Sequence, residues 1–171
     1  MGGLVSRMAM NLVPEKKVSQ LIMLGTPNYG SFAPVLVVRE NHETVFNFSR
    51  IDFANDTRDL ASTFNTFDGL MQMMPREPGY QGSDLFSGDN WPSDQSANAR
   101  LRPTASMMTH ARKVHEKLLP ADDKRCHVIV GINEETVIGA RLTDDKSQFI
   151  YDRSLAGDGT CLLYTSDAAD E

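Results

Sequence analysis

The chain has 171 residues, 17 Lys and Arg against 23 Asp and Glu, a formal charge of −6 and a hydrophobic share of 40%. That composition suits one globular domain with a sizeable core and excludes a disordered tail, a collagen-like fibre and a disulfide scaffold. No apolar run approaches the roughly 18 residues of a membrane helix, and an acidic balance without a basic cluster excludes nucleic acid as the main partner.

Residues 1–7, Met-Gly-Gly-Leu-Val-Ser-Arg, read as the first turns of a helix already under way rather than as a targeting segment. Leu4, Val5, Met8 and Leu12 fall on one helical face, and Pro14 ends the pattern. A helix that opens at residue 1 without an N-cap reads as a cut element. Residues 18–24 follow, ending on Leu21-Ile22-Met23-Leu24, a run expected to form a strand buried on both faces, as in parallel sheets. Gly25-Thr26-Pro27-Asn28-Tyr29-Gly30-Ser31 is a dense turn, with Ser31 as an expected N-cap and Pro34 in the first turn of the next helix.

From residue 32 to 119 the pattern is helical and broken by turns, with no good strand. Asp56 and its neighbours supply a cap, after which Leu60, Phe64, Phe67, Met71 and Met74 line one face of a single expected helix up to Pro75. Residues 76–93 form an irregular excursion containing Trp91. A second helix, expected from Pro103, carries Met108, Ala111, His115 and Leu118 on its stripe, and 121–125 is a solvated loop. Residues 126–132 then predict another buried strand, and 136–142 with 148–151 predict a hairpin around Asp144-Asp145-Lys146. Helix, strand, helices, strand is the rhythm of an α/β fold.

The stretch 161–171, Cys-Leu-Leu-Tyr-Thr-Ser-Asp-Ala-Ala-Asp-Glu, has neither strand alternation nor a helical stripe. It resembles the translation of a transposon-type sequencing adapter, so we read it as a non-native tail and set it aside from the fold. Asp167, Asp170 and Glu171 would leave with it, and with them half of the net negative charge. The expected organisation is a core segment over 1–31, a helical insertion over 32–125, a second core segment over 126–160 and the tail over 161–171.

Three segments resemble the α/β-hydrolase superfamily, in particular its lipase and esterase branch and relatives such as the lecithin–cholesterol acyltransferase and GPI inositol-deacylase types. Met1-Gly2-Gly3-Leu4-Val5-Ser6-Arg7 resembles the second half of a Gly-His-Ser-Met-Gly-Gly nucleophile elbow; 21–31 resembles the next core strand with its exit turn; Gly157-Asp158-Gly159-Thr160 resembles the loop that presents the triad acid. The resemblance implies a partial α/β-hydrolase fold, an incomplete mostly parallel sheet with residues 32–125 as a helical cap or lid. It implies a Ser-His-Asp triad cleaving carboxylic esters, with Asp158 as triad acid and the backbone N–H of Met1 in the oxyanion hole. The serine would stand just before Met1. The histidine follows the acid in this family, and His42, His110, His115 and His127 all precede Asp158. Nucleophile and base are therefore expected outside this chain, which alone would be inactive.

The cap would cover an acyl-binding cleft, and Phe64, Phe67, Met71 and Met74 would suit a flexible apolar wall, although the same stripe also fits a plain core face. The implied substrate is a small ester or lipid, with the cap touching a membrane surface or lipid interface. Early strands of the fold are absent from the sequence, so an apolar sheet face should lie uncovered. An acyltransferase on the same fold and a non-catalytic partner-binding module remain the rival readings. His115 is expected to pack on its helix, Cys126 to belong to the core and Asp152 to be structural. No cofactor is implied: the sequence has no P-loop, no Gly-x-Gly-x-x-Gly after a strand and no Cys or His pair at metal spacing.

Overall fold

In the computed structural model, residues 1–40, 42–52, 54–76, 83–93 and 101–161 are described. Among the described residues six α-helices and four strands follow in chain order: α1 (Gly2–Leu12), β1 (Leu21–Leu24), α2 (Ala33–Val38), α3 (Glu43–Ile51), α4 (Thr57–Phe64), α5 (Asp68–Met71), α6 (Ala105–Glu116), β2 (Cys126–Ile129), β3 (Thr136–Leu142) and β4 (Phe149–Ser154). The class is mixed α/β. β1 and β2 pair in parallel, Leu21 with Cys126 through Leu24 with Ile129, although about a hundred residues separate them in sequence. β3 and β4 form a separate antiparallel hairpin, bulged between Val137 and Gly139.

Local chemistry explains most boundaries. Asp56 accepts from the Arg58 and Asp59 N–H groups while Asp59 reaches back to the Asp56 N–H, a capping box that starts α4. Thr104 accepts from the Met107 N–H and starts α6, two residues after the expected Pro103. His42 does the same for α3 through Nδ1, which accepts from the Thr44 N–H at 3.2 Å. In the hairpin turn the Asp145 carboxylate takes hydrogen bonds from Thr143 and Ser147, which hold its pKa down at about 2.

One core joins the helical block to the hairpin. Phe32, Val35 and Val38 meet Met71, Met74, Met107, Met108 and Ala111, and the hairpin contributes Val137 and Ala140. Trp91 is buried within it; its indole N–H donates to the Leu85 carbonyl at 2.8 Å and its ring meets Phe149 edge-on. The hairpin thus shares its core with the helices of 32–125 and has a separate sheet from the parallel pair.

Three expectations are corrected. The single helix through Met74 is two: Asn65 turns inward to donate to the Arg102 carbonyl at 2.7 Å, and the next N–H groups bond three residues back, which breaks the ladder between α4 and α5. Neither strand of the parallel pair is buried as expected. In β1 Met23 points into the structure while Ile22 and Leu24 are 61% and 71% exposed. β2, expected as a buried strand over 126–132, ends at Ile129, which is 55% exposed, and Cys126 is half-buried rather than in the core. On α1 the inward face is Leu4, Arg7 and Met10, leaving Val5 and Leu12 62% and 78% exposed. The apolar pattern thus pointed to a face rotated from the one that is buried, and Arg7 marks the difference. Its guanidinium, 1% exposed, donates to the Leu119 carbonyl at 2.7 Å and to Asn28, backbone O at 3.0 Å and Oδ1 at 3.2 Å. Bonds from a charged donor, each worth roughly 1.5–3 kcal/mol, offset the cost of burying it.

Candidate active site

The C-terminal ends of the two parallel strands lead into two turns, Gly25–Gly30 after β1 and 130–135 after β2, and both face the loop that carries Asp158. The loop is tied down on each side. Glu134 donates its N–H to the Gly157 carbonyl at 3.0 Å, Gly159 donates to Thr136 Oγ1 at 2.8 Å, and the Ser31 hydroxyl donates to the Thr160 carbonyl at 2.6 Å. Ser31 thus spends its donor on the acid loop while its oxygen accepts from the N–H of Ala33, the first residue of α2; Phe32, not Ser31, stands at the N-cap position and makes no side-chain capping bond.

Asp158 is half-buried against glycines. A Cβ on Gly131 would stand 2.9 Å from the Asp158 Cβ, so only glycine lets the strand exit pass that close. Its Oδ1 accepts from the Thr160 and Cys161 N–H groups at 3.0 and 2.6 Å. Cys161, the first residue of the stretch set aside above as a tail, is packed here: it is buried and its thiol donates to the Gly25 carbonyl at 3.3 Å. Residues 162–171 lie outside the described residues. Burial, and behind it the Asp158 carboxylate, push the Cys161 thiol up to about 11, while the amino terminus at Met1 pulls the other way.

That pull reflects the third element at this place, the start of α1. Gly3 lies flush on Thr26, where any Cβ would collide with the threonine side chain. The small residue thus allows the helix to enter directly over the exit turn of β1, the close approach a strand-to-helix elbow needs. Arg7, one turn further along, bonds the same exit turn at Asn28. Asp158, Gly25, Thr26 and the first residues of α1 therefore meet at the C-terminal edge of the parallel pair.

The remaining candidates are elsewhere. Met71 and Met74 are fully buried in the core, whereas Phe64 meets Phe67 edge-on at 5.9 Å and Phe48 at 6.3 Å in a partly exposed aromatic group formed by α3, the end of α4 and the start of α5. The four therefore do not form one wall. His115 is buried against Phe86, and desolvation, then the nearby Arg76, lower its pKa to about 4. His42 caps α3; His110 is exposed, its Nδ1 3.9 Å from Asp68; His127 lies on β2 opposite Ile22. Among the described residues no histidine hydrogen-bonds to Asp158. Burial, then Asp123, raise the Cys126 thiol, so it is not poised as a nucleophile. Asp152 pairs across the hairpin with Arg141 at 3.8 Å. Among the described residues no cluster of His, Cys, Asp or Glu is suited to a metal ion, and no helix is long and apolar enough to cross a membrane.

Arg7, Ser31 and Thr26 organise this place, and none of them was singled out for that role from the sequence. An arginine one turn into a helix reads as solvated, and only the geometry shows the carbonyls it serves. Comparison of the chain with protein-family models, with curated proteins and with solved structures returns no match in any of the three.

Proposed function

We propose that this chain is part of a serine hydrolase of the α/β-hydrolase type, acting on carboxylic esters of lipid-like character, and that it is inactive by itself. The observation that carries the reading is the meeting of the Asp158 loop with the start of α1 at the C-terminal edge of two parallel strands. Open parallel sheets gather their reacting groups at that edge. A triad acid must also be held by its own loop, as Asp158 is through Oδ1, while its other oxygen takes the histidine Nδ1–H.

In this reading a serine preceding Met1 attacks the ester carbonyl and a histidine from outside this chain takes its proton, then gives it to the departing alcohol. Asp158 holds that histidine in the right tautomer and stabilises it when charged. The oxyanion formed on the carbonyl oxygen is held at the start of α1 by the N–H of residue 1, with the positive end of the helix dipole behind it. The helices between β1 and β2 act as the cap. Phe48, Phe64 and Phe67, with the exposed Phe46 and Ile51, form its lipid-facing surface.

A chromogenic short-chain ester tests this. The chain itself should give no turnover above background, and turnover would overturn the assignment of roles. The codon preceding Met1 should encode serine; any residue but Ser, Cys or Asp there sinks the reading. In a chain that includes the serine and histidine, Asp158→Asn should lower kcat on the order of 10⁴-fold, the size of effect seen when a triad acid loses its charge.

A further inference from the structure

Thr136, the first residue of β3, is 1% exposed, and its hydroxyl is used in both directions. It donates to the Glu134 carbonyl at 2.9 Å and accepts from the Gly159 N–H at 2.8 Å. The Glu134 N–H in turn donates to the Gly157 carbonyl at 3.0 Å, so these bonds close a ring around the backbone of Asp158. Both glycines that flank the acid serve that ring. A Cβ on Gly157 would stand 2.5 Å from the Thr136 Oγ1, so a larger residue there would push the hydroxyl off the loop. Gly159, at φ +86°, takes a left-handed conformation open to glycine while it donates its N–H to the threonine.

We propose that Thr136 is the positioning residue of Asp158: its hydroxyl fixes the backbone of the loop, so that the carboxylate is held where a histidine must meet it. The inference rests on the ester-hydrolase reading. The support behind the hydroxyl is rigid. Thr136 pairs with Ser154 across the hairpin, and its neighbour Val137 is buried in the core shared with the helices. With the loop backbone fixed, the Asp158 side-chain torsions are what remains to be set, and Oδ1 is already engaged by the Thr160 and Cys161 N–H groups. An acid held in this way needs no ordering during the reaction, which is the use of a packed element behind a reacting group. Valine has the shape of threonine but neither donates nor accepts, and would deprive the Glu134 carbonyl and the Gly159 N–H of this partner. Serine keeps both bonds.

Two measurements on the chain itself test the hold on the loop. In the unaltered chain the Gly159 amide should exchange its hydrogen at least about a hundredfold more slowly than an unstructured glycine, and exchange at the unstructured rate overturns the inference. Cys161 is buried and its N–H bonds Asp158, so its thiol reports opening of the loop. In a Cys126→Ser background, Thr136→Val should speed reaction of that thiol with dithionitrobenzoate about tenfold or more, with the far-ultraviolet dichroism unchanged, while Thr136→Ser keeps the slow rate. Labelling indifferent to Thr136→Val overturns the inference. In a chain that includes the serine and histidine, Thr136→Val should lower kcat about 10- to 100-fold with KM for the ester unchanged, and Thr136→Ser should recover most of the loss. A change in KM alone, or a loss that serine does not recover, overturns the positioning role. If that longer chain is inactive with Thr136 intact, the ester-hydrolase reading fails and the positioning role with it. The two failures are distinct: one shows in the exchange and the thiol of this chain, the other in the activity of the longer one.

Discussion

The helical block with its hairpin and the α1–β1–β2 unit solve burial in opposite ways. In the first, short helices and an antiparallel hairpin close around Trp91, with Val35, Val38, Met71, Met74 and Ala111 shut away from water. In the second, Met23 faces inward while Ile22, Leu24 and Ile129 lie open on the other side of the parallel pair. An antiparallel hairpin needs cover on one face only; a parallel pair needs it on both. Here α1 packs beside β1, and among the described residues nothing covers the Ile22 side. The expected uncovered sheet face is therefore found on β1 and β2. The place where catalysis is proposed sits on the less enclosed unit, and its fixed points, Arg7 on Asn28 and Ser31 on Thr160, are polar ties rather than core packing.

The largest test of this contrast is Trp91→Ala. Emptying the centre of the closed core should cost about 3–5 kcal/mol, read by urea unfolding. A loss below about 1 kcal/mol would show that the helical block is not the stable half. Next comes acid. His115 is held near 4 in the fold and titrates near 6.5 when unfolded, so the unfolded chain takes the proton first. The stability present above pH 6.5 should fall by about 3 kcal/mol as pH drops through 6.5 to 4. His115→Leu should flatten that slope in the same unfolding measurement, and an unchanged slope would assign it to other groups. The smallest effect is expected on the open face. Ile22→Ser and Leu24→Ser should each shift stability by no more than about 0.5 kcal/mol. A loss of about 2 kcal/mol from either would mean that this face is covered in solution and would erase the contrast.

Where local chemistry decides, the sequence was readable. The Asp56 capping box and the turn around Asp145 are written in neighbouring residues, and the structure follows them; the strand runs at 21–24 and 126–132 also mark β1 and β2, although the second ends at Ile129 and the pair is not buried as expected. The break between α4 and α5 was not readable, because Asn65 leaves the helix for a carbonyl 37 residues away. Nor was the division of the Leu60–Met74 stripe, whose phenylalanines stay at the surface while its methionines enter the core. At the site, the positions of Asp158 and Gly3 could be picked from short motifs. Their meeting depends on Gly131, Thr26 and Ser31, residues with no distinctive pattern of their own.

The sequence by itself determined the α/β class, the presence of the helical block between two strands and the hairpin near the end, since caps, turns and apolar runs act over a few residues. Only the tertiary structure decided which faces are covered. Apolar periodicity on α1 points to the side of Leu4, Val5, Met8 and Leu12, and the helix is instead turned to bury a cation, Arg7, which bonds oxygens on two distant loops. The same long-range packing places Asp158 beside Gly25 and Gly3 of α1 on Thr26, and makes Cys161 part of that arrangement. The acidic, ordinary composition carries none of this, because it holds no information about which residues meet.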